Sequence, residues 1–197
     1  MKTLHIIASP RWERSKSRHL GEFVSSKLGW GVITLDLYAS EVPYITNNII
    51  AYNYGFFDYA NLSDAEKKIA DVQKKYIEQL KSVDNIVVSA PLWNFGMPAI
   101  LKWYIDLVVK VGETFTSSEG NMTWLLTNIK NFYIVTAKGW VYAGTAWEHI
   151  ETLEANIKQA FAFMGVHNPQ ILRIEWINAK DEATLDSEIE NIKNTLV

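Results

Sequence analysis

Residues 9–17, SPRWERSKS, set three serines and three cations into the turn that follows an apolar run, with Arg18 next in line. Such a set can hold an anion. Serine hydroxyls donate hydrogen bonds, and a helix opening here adds free N–H groups and about half a positive charge. A phosphate monoester needs donors on several sides, and Ser9, Ser15 and Ser17 with the backbone supply them. The plainer alternative makes Ser15 a helix N-cap and the rest a solvated loop. Likewise Arg11, Arg14, Lys16 and Arg18 either sharpen an anion site or form an exposed basic face. The loop has no glycine, and neither G-x-G-x-x-G nor G-x-x-x-x-G-K-[ST] occurs after the first strand. That argues against a nicotinamide-only dinucleotide fold and against a P-loop NTPase.

A second segment, APLWNFGMPAILKWYID (90–106), brackets a rigid turn between Pro91 and Pro98, with Trp93 and Phe95 around the small amide of Asn94. Fixed backbone N–H and C=O groups beside aromatics suit the edge and face of a planar heterocycle. A core loop whose aromatics simply pack is the alternative. The four histidines, His5, His19, His149 and His167, share no ligand spacing, so no metal site is expected. No Ser/His/Asp arrangement supports hydrolysis. Glu13 and Asp106 read as surface or helix-face carboxylates.

These segments need elements to position them. Apolar runs at 3–9, 31–37, 85–91, 131–137 and 170–177 read as five strands, three of them continuous enough for a sheet covered on both faces. Helical patterns lie between them. The first covers 18–28, and a second follows a Ser63/Glu66 capping box. The third opens at Pro98 and runs to about Val111, with Gly112 as its stop. A fourth follows a Thr145/Glu148 capping-box spacing and carries the stripe Ile150, Leu153, Ile157, Phe161 and Met164. A fifth follows Asp181. Strand then helix, repeated, predicts one α/β domain over 1–197, a three-layer αβα sandwich around a parallel sheet. Five strands favour the flavodoxin-like order 2-1-3-4-5, in which ligands bind beyond the strands' carboxyl ends. There lie 9–17, 91–97 and 137–146. The long connections 38–62 and 112–129 are expected to be functional or at an interface.

The whole chain narrows the options further. Its 197 residues suffice for one sizeable core, and a net charge of −3 favours neither nucleic acid nor an anionic membrane as partner. It has no cysteine, hence no disulfide, thiolate nucleophile or cysteine-ligated metal, and a cytoplasmic location fits. No run approaches a membrane span. Eight Trp, nine Tyr and eight Phe are an unusual load, pointing to a large core, a large interface or a flat ligand.

SPRWERSKS together with APLWNFGMPAILKWYIDLVVKVGETF resembles the FMN-dependent NADH:azoreductase and NAD(P)H:quinone oxidoreductase family, over residues 3 to about 165. The resemblance rests on a serine and S-x-S after strand one, P-[ML]-[YW]-N-F and a proline-started helix after strand three, and a later G-x-T-F. It implies that Ser9, Ser15, Ser17 and the Lys16 backbone hold the FMN phosphate. Pro91, Leu92, Trp93, Asn94 and Phe95 would line the ribityl chain and one edge of the isoalloxazine. The loop after strand four, Thr136, Ala137, Lys138 and Gly139, would meet the pyrimidine edge. Relatives commonly carry S-R-G-G there, whereas this chain has TAKGW, so Trp140 stands where glycine is usual. Its indole either borders the substrate slot or turns into a subunit contact. Phe161 corresponds to a pocket phenylalanine, with plain core as the alternative.

The resemblance further implies a homodimer with the site near the interface, for which Tyr52, Tyr54, Phe56, Phe57, Tyr59 and Trp124 are candidate surface. The implied reaction is a ping-pong exchange in which NADH or NADPH passes hydride to flavin N5 and a quinone or azo compound is reduced next. No protein nucleophile is needed. Arg11, Arg14 or Lys138 could meet a 2′-phosphate. An FMN electron carrier of the flavodoxin type and a flavin-free signalling domain are the rival readings.

Overall fold

The structure is a computed structural model that describes residues 1–196. Five parallel strands form its sheet: β1 (Lys2–Ile7), β2 (Gly31–Asp36), β3 (Asn85–Pro91), β6 (Asn131–Ala137) and β7 (Gln170–Ile174). They are ordered β2-β1-β3-β6-β7, the expected flavodoxin-like order once a separate two-stranded hairpin, β4 (Phe115–Ser118) and β5 (Asn121–Trp124), is set aside. Leu4 stands beside Ile33 and Ile86, and Ile86 beside Phe132.

Alternation along each strand divides the apolar residues between two cores. Leu4, Ile6, Ile86, Val88 and Ile134 face one side, under α3 (Asp64–Lys81), α4 (Ala99–Val108) and α5 (Leu153–Met164). Val87, Tyr133, Val135 and Ile174 face the other, under α1 (Lys16–Lys27) and α6 (Glu182–Asn194). Each such fully buried aliphatic side chain contributes about 1.5–3 kcal/mol of transfer free energy. β3, buried from Asn85 to Ala90, is the central strand, so its carboxyl end opens at the middle of the sheet edge.

The helix signals behave unequally. Ser63 and Glu66 form the expected capping box, with Ser63 Oγ accepting from Glu66 N and Glu66 Oε2 accepting from Ser63 N. Pro98 is the N-cap of α4, which ends at Val108 rather than Val111. The buried Thr114 hydroxyl donates to Val108 O (2.8 Å), tying down the end of that helix. Thr145 and Glu148 open no α-helix. Thr145 Oγ1 donates to Tyr142 O and Glu148 Oε2 accepts from Gly144 N, so both side chains hold a turn, and α5 starts only at Leu153. Two elements lie inside the presumed loops: α2 (Asn47–Asn53), capped by Thr46, and the β4–β5 hairpin.

Candidate active site at the carboxyl edge of the sheet

Three loops leave β1, β3 and β6 side by side and enclose a cavity of about 820 Å³. The first wall is the β1–α1 turn. Ser9, Ser15 and Ser17 line it although each is no more than 3% exposed. Ser15 Oγ and Ser17 Oγ lie 3.3 Å apart, and Ser15 Oγ also accepts from Arg18 N at 3.2 Å, so Ser15 is an N-cap as well as a wall residue. The Lys16 and Ser17 amides occupy the first turn of α1, where a helix provides no acceptor, and they make no hydrogen bond among the described residues. The result is a concave group of hydroxyls and N–H donors at the positive end of a 12-residue helix.

The four cations do not act together. The Lys16 ammonium, on the cavity wall, is neutralised by Glu182 and by Asp186 (2.9 Å). Arg18 is held by Glu22 and Asp36, each at 2.9 Å. Arg11 and Arg14 remain on the cavity, with exposed Glu13 between them in sequence. Asp106 lies elsewhere, paired with Lys102 on α4.

The second wall is built by strain. Asn94 (φ 46°) and Phe95 (φ 67°) both occupy the left-handed region, which closes a two-residue turn between Trp93 and Gly96. Those flanking residues exchange both backbone hydrogen bonds, at 3.0 and 2.9 Å. Asparagine tolerates this backbone, whereas phenylalanine does not, and non-glycine residues held there cost about 1–3 kcal/mol each. The turn persists because its surroundings fix it. Leu92 N donates to Ala137 O, and Phe95 O accepts from both the amide and the hydroxyl of Thr152. Pro91, Leu92, Trp93, Asn94 and Phe95 all line the cavity, and Tyr142 meets the Phe95 ring edge-on at 6.5 Å between centroids.

At the third wall Ala137, Gly139 and Trp140 line the cavity, while Thr136 and Lys138 point the other way. Thr136 Oγ1 donates to Glu154 Oε1 at 3.0 Å. The Lys138 ammonium, 2% exposed, lies 2.7 Å from Glu154, 3.3 Å from Glu151 and 3.9 Å from Glu175. Both backbone groups of Lys138 are also taken, by Ile174 O and Ile177 N. Two residues expected to touch a cofactor are therefore supports of the loop, and Lys138 is not placed to meet a 2′-phosphate. Burial works to raise the Glu154 pKa, but hydrogen bonds and charge from Arg173 and Lys138 outweigh it and hold the carboxyl below its usual range. A Cβ at Gly139 would lie 2.6 Å from Nδ2 of the exposed Asn178, so a side chain there requires the Asn178 amide to move aside.

Phe161 is fully buried and packs on Phe132 at 4.9 Å, so it is core and does not line the cavity. Trp140, 62% exposed, stands on the rim. Tyr142, Ile177 and Asn178 also line the cavity and were not anticipated. The signal was positional: Tyr142 lies in the 137–146 segment after β6, and β7 ends at Ile174, so Ile177 and Asn178 leave from the same sheet edge. Of the aromatics expected on an interface, Phe56, Tyr54 and Trp124 are widely exposed, whereas Tyr52 and Phe57 pack against a small core around Ile49. Among the described residues there is no cluster of three or more potential metal ligands, and no helix is long and apolar enough to cross a membrane.

Comparison with known proteins gives this geometry a family. The model of the flavodoxin-like fold matches residues 1–196. The chain is 29% identical, over 98% of its length and 97% of the relative's, to an FMN-dependent NADH:quinone oxidoreductase of Shouchella clausii. It is 30% identical to one of Beijerinckia indica, over 90% of each chain. The crystal structure of an azoreductase from Bacillus anthracis superposes with a TM-score of 0.85 at 28% identity, covering 99% of this chain and 98% of that one. With its strand order, its carboxyl-edge cavity and a match over almost every residue, the chain belongs to the family of the flavodoxin-like fold.

Proposed function

We propose that the protein is an FMN-dependent NAD(P)H oxidoreductase that reduces quinones and azo compounds. The observation that carries this reading is the first wall of the cavity: three buried serine hydroxyls and two free amides converge at the N-terminus of α1. Hydroxyls left buried without a full set of partners are costly unless a ligand satisfies them, and a terminal phosphate fits that donor set. Ser9, Ser15, Ser17 and the Lys16 and Ser17 amides would hold the phosphate of FMN. The 91–95 turn and the Ala137–Gly139 segment would hold the ribityl chain and the ring. Bound there, FMN would supply the redox chemistry, hydride acceptance from NADH or NADPH and its onward delivery to the acceptor. The chain's own part is placement. The strained turn fixes Trp93, Asn94 and Phe95, and the Lys138 cage fixes the loop on which Gly139 and Trp140 stand. Relatives of this chain bear names that agree with the activity. One flavin domain spans the chain, acting in the cytoplasm as a homodimer, and the exposed aromatics Tyr54, Phe56 and Trp124 support a subunit contact.

Purified protein should be yellow, release FMN on denaturation, and oxidise NADH in the presence of menadione. A colourless protein that does not take up FMN would sink the reading. Yellow protein without steady-state turnover would instead make it an electron carrier.

A further inference from the structure

Beside the main cavity lies a second, shallower one of about 590 Å³, lined by Pro10, Arg11, Trp12 and Arg14. Arg11 and Arg14 line both cavities, so the two adjoin at this pair of residues. Neither guanidinium has a carboxylate within ion-pair distance among the described residues, whereas Lys16 and Arg18 on the same segment are paired. Trp12 is 65% exposed, and among the described residues no aromatic ring or cation packs on its indole. Its backbone sits in the left-handed region (φ 48°), which holds it at the start of a short 3-10 turn. An exposed tryptophan there neither stabilises the core nor closes the serine wall. Its open π-face beside two unpaired arginines is what an adenine ring with phosphates attached requires.

We infer that Trp12, Arg11 and Arg14 form a subsite for the adenosine diphosphate half of the nicotinamide co-substrate, with the purine on the indole and the phosphates on the guanidinium groups. The inference rests on the oxidoreductase reading, because it places the co-substrate's nicotinamide in the main cavity and its adenosine on the rim. It also assigns to the arginines the anion role that Lys138, caged beneath the loop, does not fill.

The test compares NADH with reduced nicotinamide mononucleotide, which lacks the adenosine half, on FMN-loaded protein. Trp12→Ala should raise KM for NADH about tenfold and KM for the mononucleotide less than twofold, as expected for loss of one stacked base. Trp12→Phe should recover most of the affinity. Calorimetric titration with ADP-ribose supplies a readout apart from turnover, and Trp12→Ala or the double variant Arg11→Ala/Arg14→Ala should weaken it about tenfold. Equal losses for both reductants, as from a broken subunit contact, would overturn the subsite. So would unchanged ADP-ribose binding, or recovery of FAD from the protein, which would give the rim to a resident dinucleotide. If the protein neither holds FMN nor oxidises NADH, the oxidoreductase reading fails by itself, and ADP-ribose titration of the cofactor-free protein still decides the subsite.

Discussion

Ser15 and Ser17 stand two residues apart and have separable duties. Ser15 Oγ accepts from Arg18 N, so Ser15→Ala removes a helix cap worth about 1 kcal/mol as well as a wall hydroxyl. The Ser17 hydroxyl meets only Ser15 and the cavity. Ser17→Ala should therefore cost the cofactor-free protein no more than about 1 kcal/mol, the worth of its single long hydrogen bond to Ser15. It should still weaken FMN binding about tenfold, the equivalent of one charge-assisted hydrogen bond. Urea denaturation and quenching of flavin fluorescence measure the two effects separately. A second residue acts through the core. His5, fully buried on β1, bonds Ser89 Oγ through Nε2 at 2.7 Å, and its Nδ1 has no partner. Burial first and the Arg18 charge second lower its pKa from 6.5 to about 3. The unfolded chain thus takes up the proton while the folded one stays neutral, and stability is lost as pH falls below 6.5. The slope approaches about 1.4 kcal/mol per pH unit, or about 2 kcal/mol by pH 5. In His5→Gln the slope between pH 6.5 and 5 should flatten, and an unchanged slope would assign it to other groups. The serines could be found from their types and spacing. The inward turn of Thr136 and Lys138 could not, because it depends on Glu151 and Glu154 from a distant helix entry.

At the scale of elements, signals confined to one helix or strand were readable, and signals shared between loops were not. The Ser63 capping box formed because Asn48 and Thr46 engage only Glu66 Oε1, which leaves Oε2 to accept from Ser63. The same spacing failed at Thr145, where Tyr142 O and Gly144 N lie closer. The β4–β5 hairpin turns on Glu119 and Gly120, both at positive φ, and its strands are too exposed and short to show an apolar alternation. The turn at 93–96 is the functional case. Proline spacing announced its rigidity, but only the backbone reveals that Phe95 is held where glycine belongs. Replacing Phe95 by Ala removes the ring and keeps the strain, whereas Gly removes both. Phe95→Gly should therefore be more stable than Phe95→Ala by about 1 kcal/mol, the reverse of the usual ranking. Both variants should retain FMN less well. Equal stability of the two would mean that the turn relaxes when the ring is lost, and with it the account of how the second wall is fixed.

The whole molecule ties the anion wall to the sheet through one residue with no side chain. α1 lies across β1, β3 and β6, and its N-terminus carries Ser15 and Ser17 into the cavity. That crossing is tight at Gly21, where a Cβ would stand 2.0 Å from Ser89 Oγ and 2.5 Å from His5 Nε2. In an isolated helix, Gly to Ala gains about 1 kcal/mol from propensity alone. Here the hydroxyl cannot rotate aside without breaking its 2.7 Å bond to His5, and the imidazole is enclosed by the core. Overpacking of about 1–3 kcal/mol and a lost buried hydrogen bond of about 1–3 kcal/mol act together against the propensity gain. Gly21→Ala should thus destabilise the protein by about 2–4 kcal/mol, read as a lower urea midpoint with an unchanged slope. Because relief of the clash lifts α1 from the sheet, FMN affinity should fall as well, although Gly21 does not line the cavity. Loss of stability with flavin affinity intact would show that the helix yields at its middle and leaves its first turn in place, so that the serine wall is held by the β1 loop and not by the crossing.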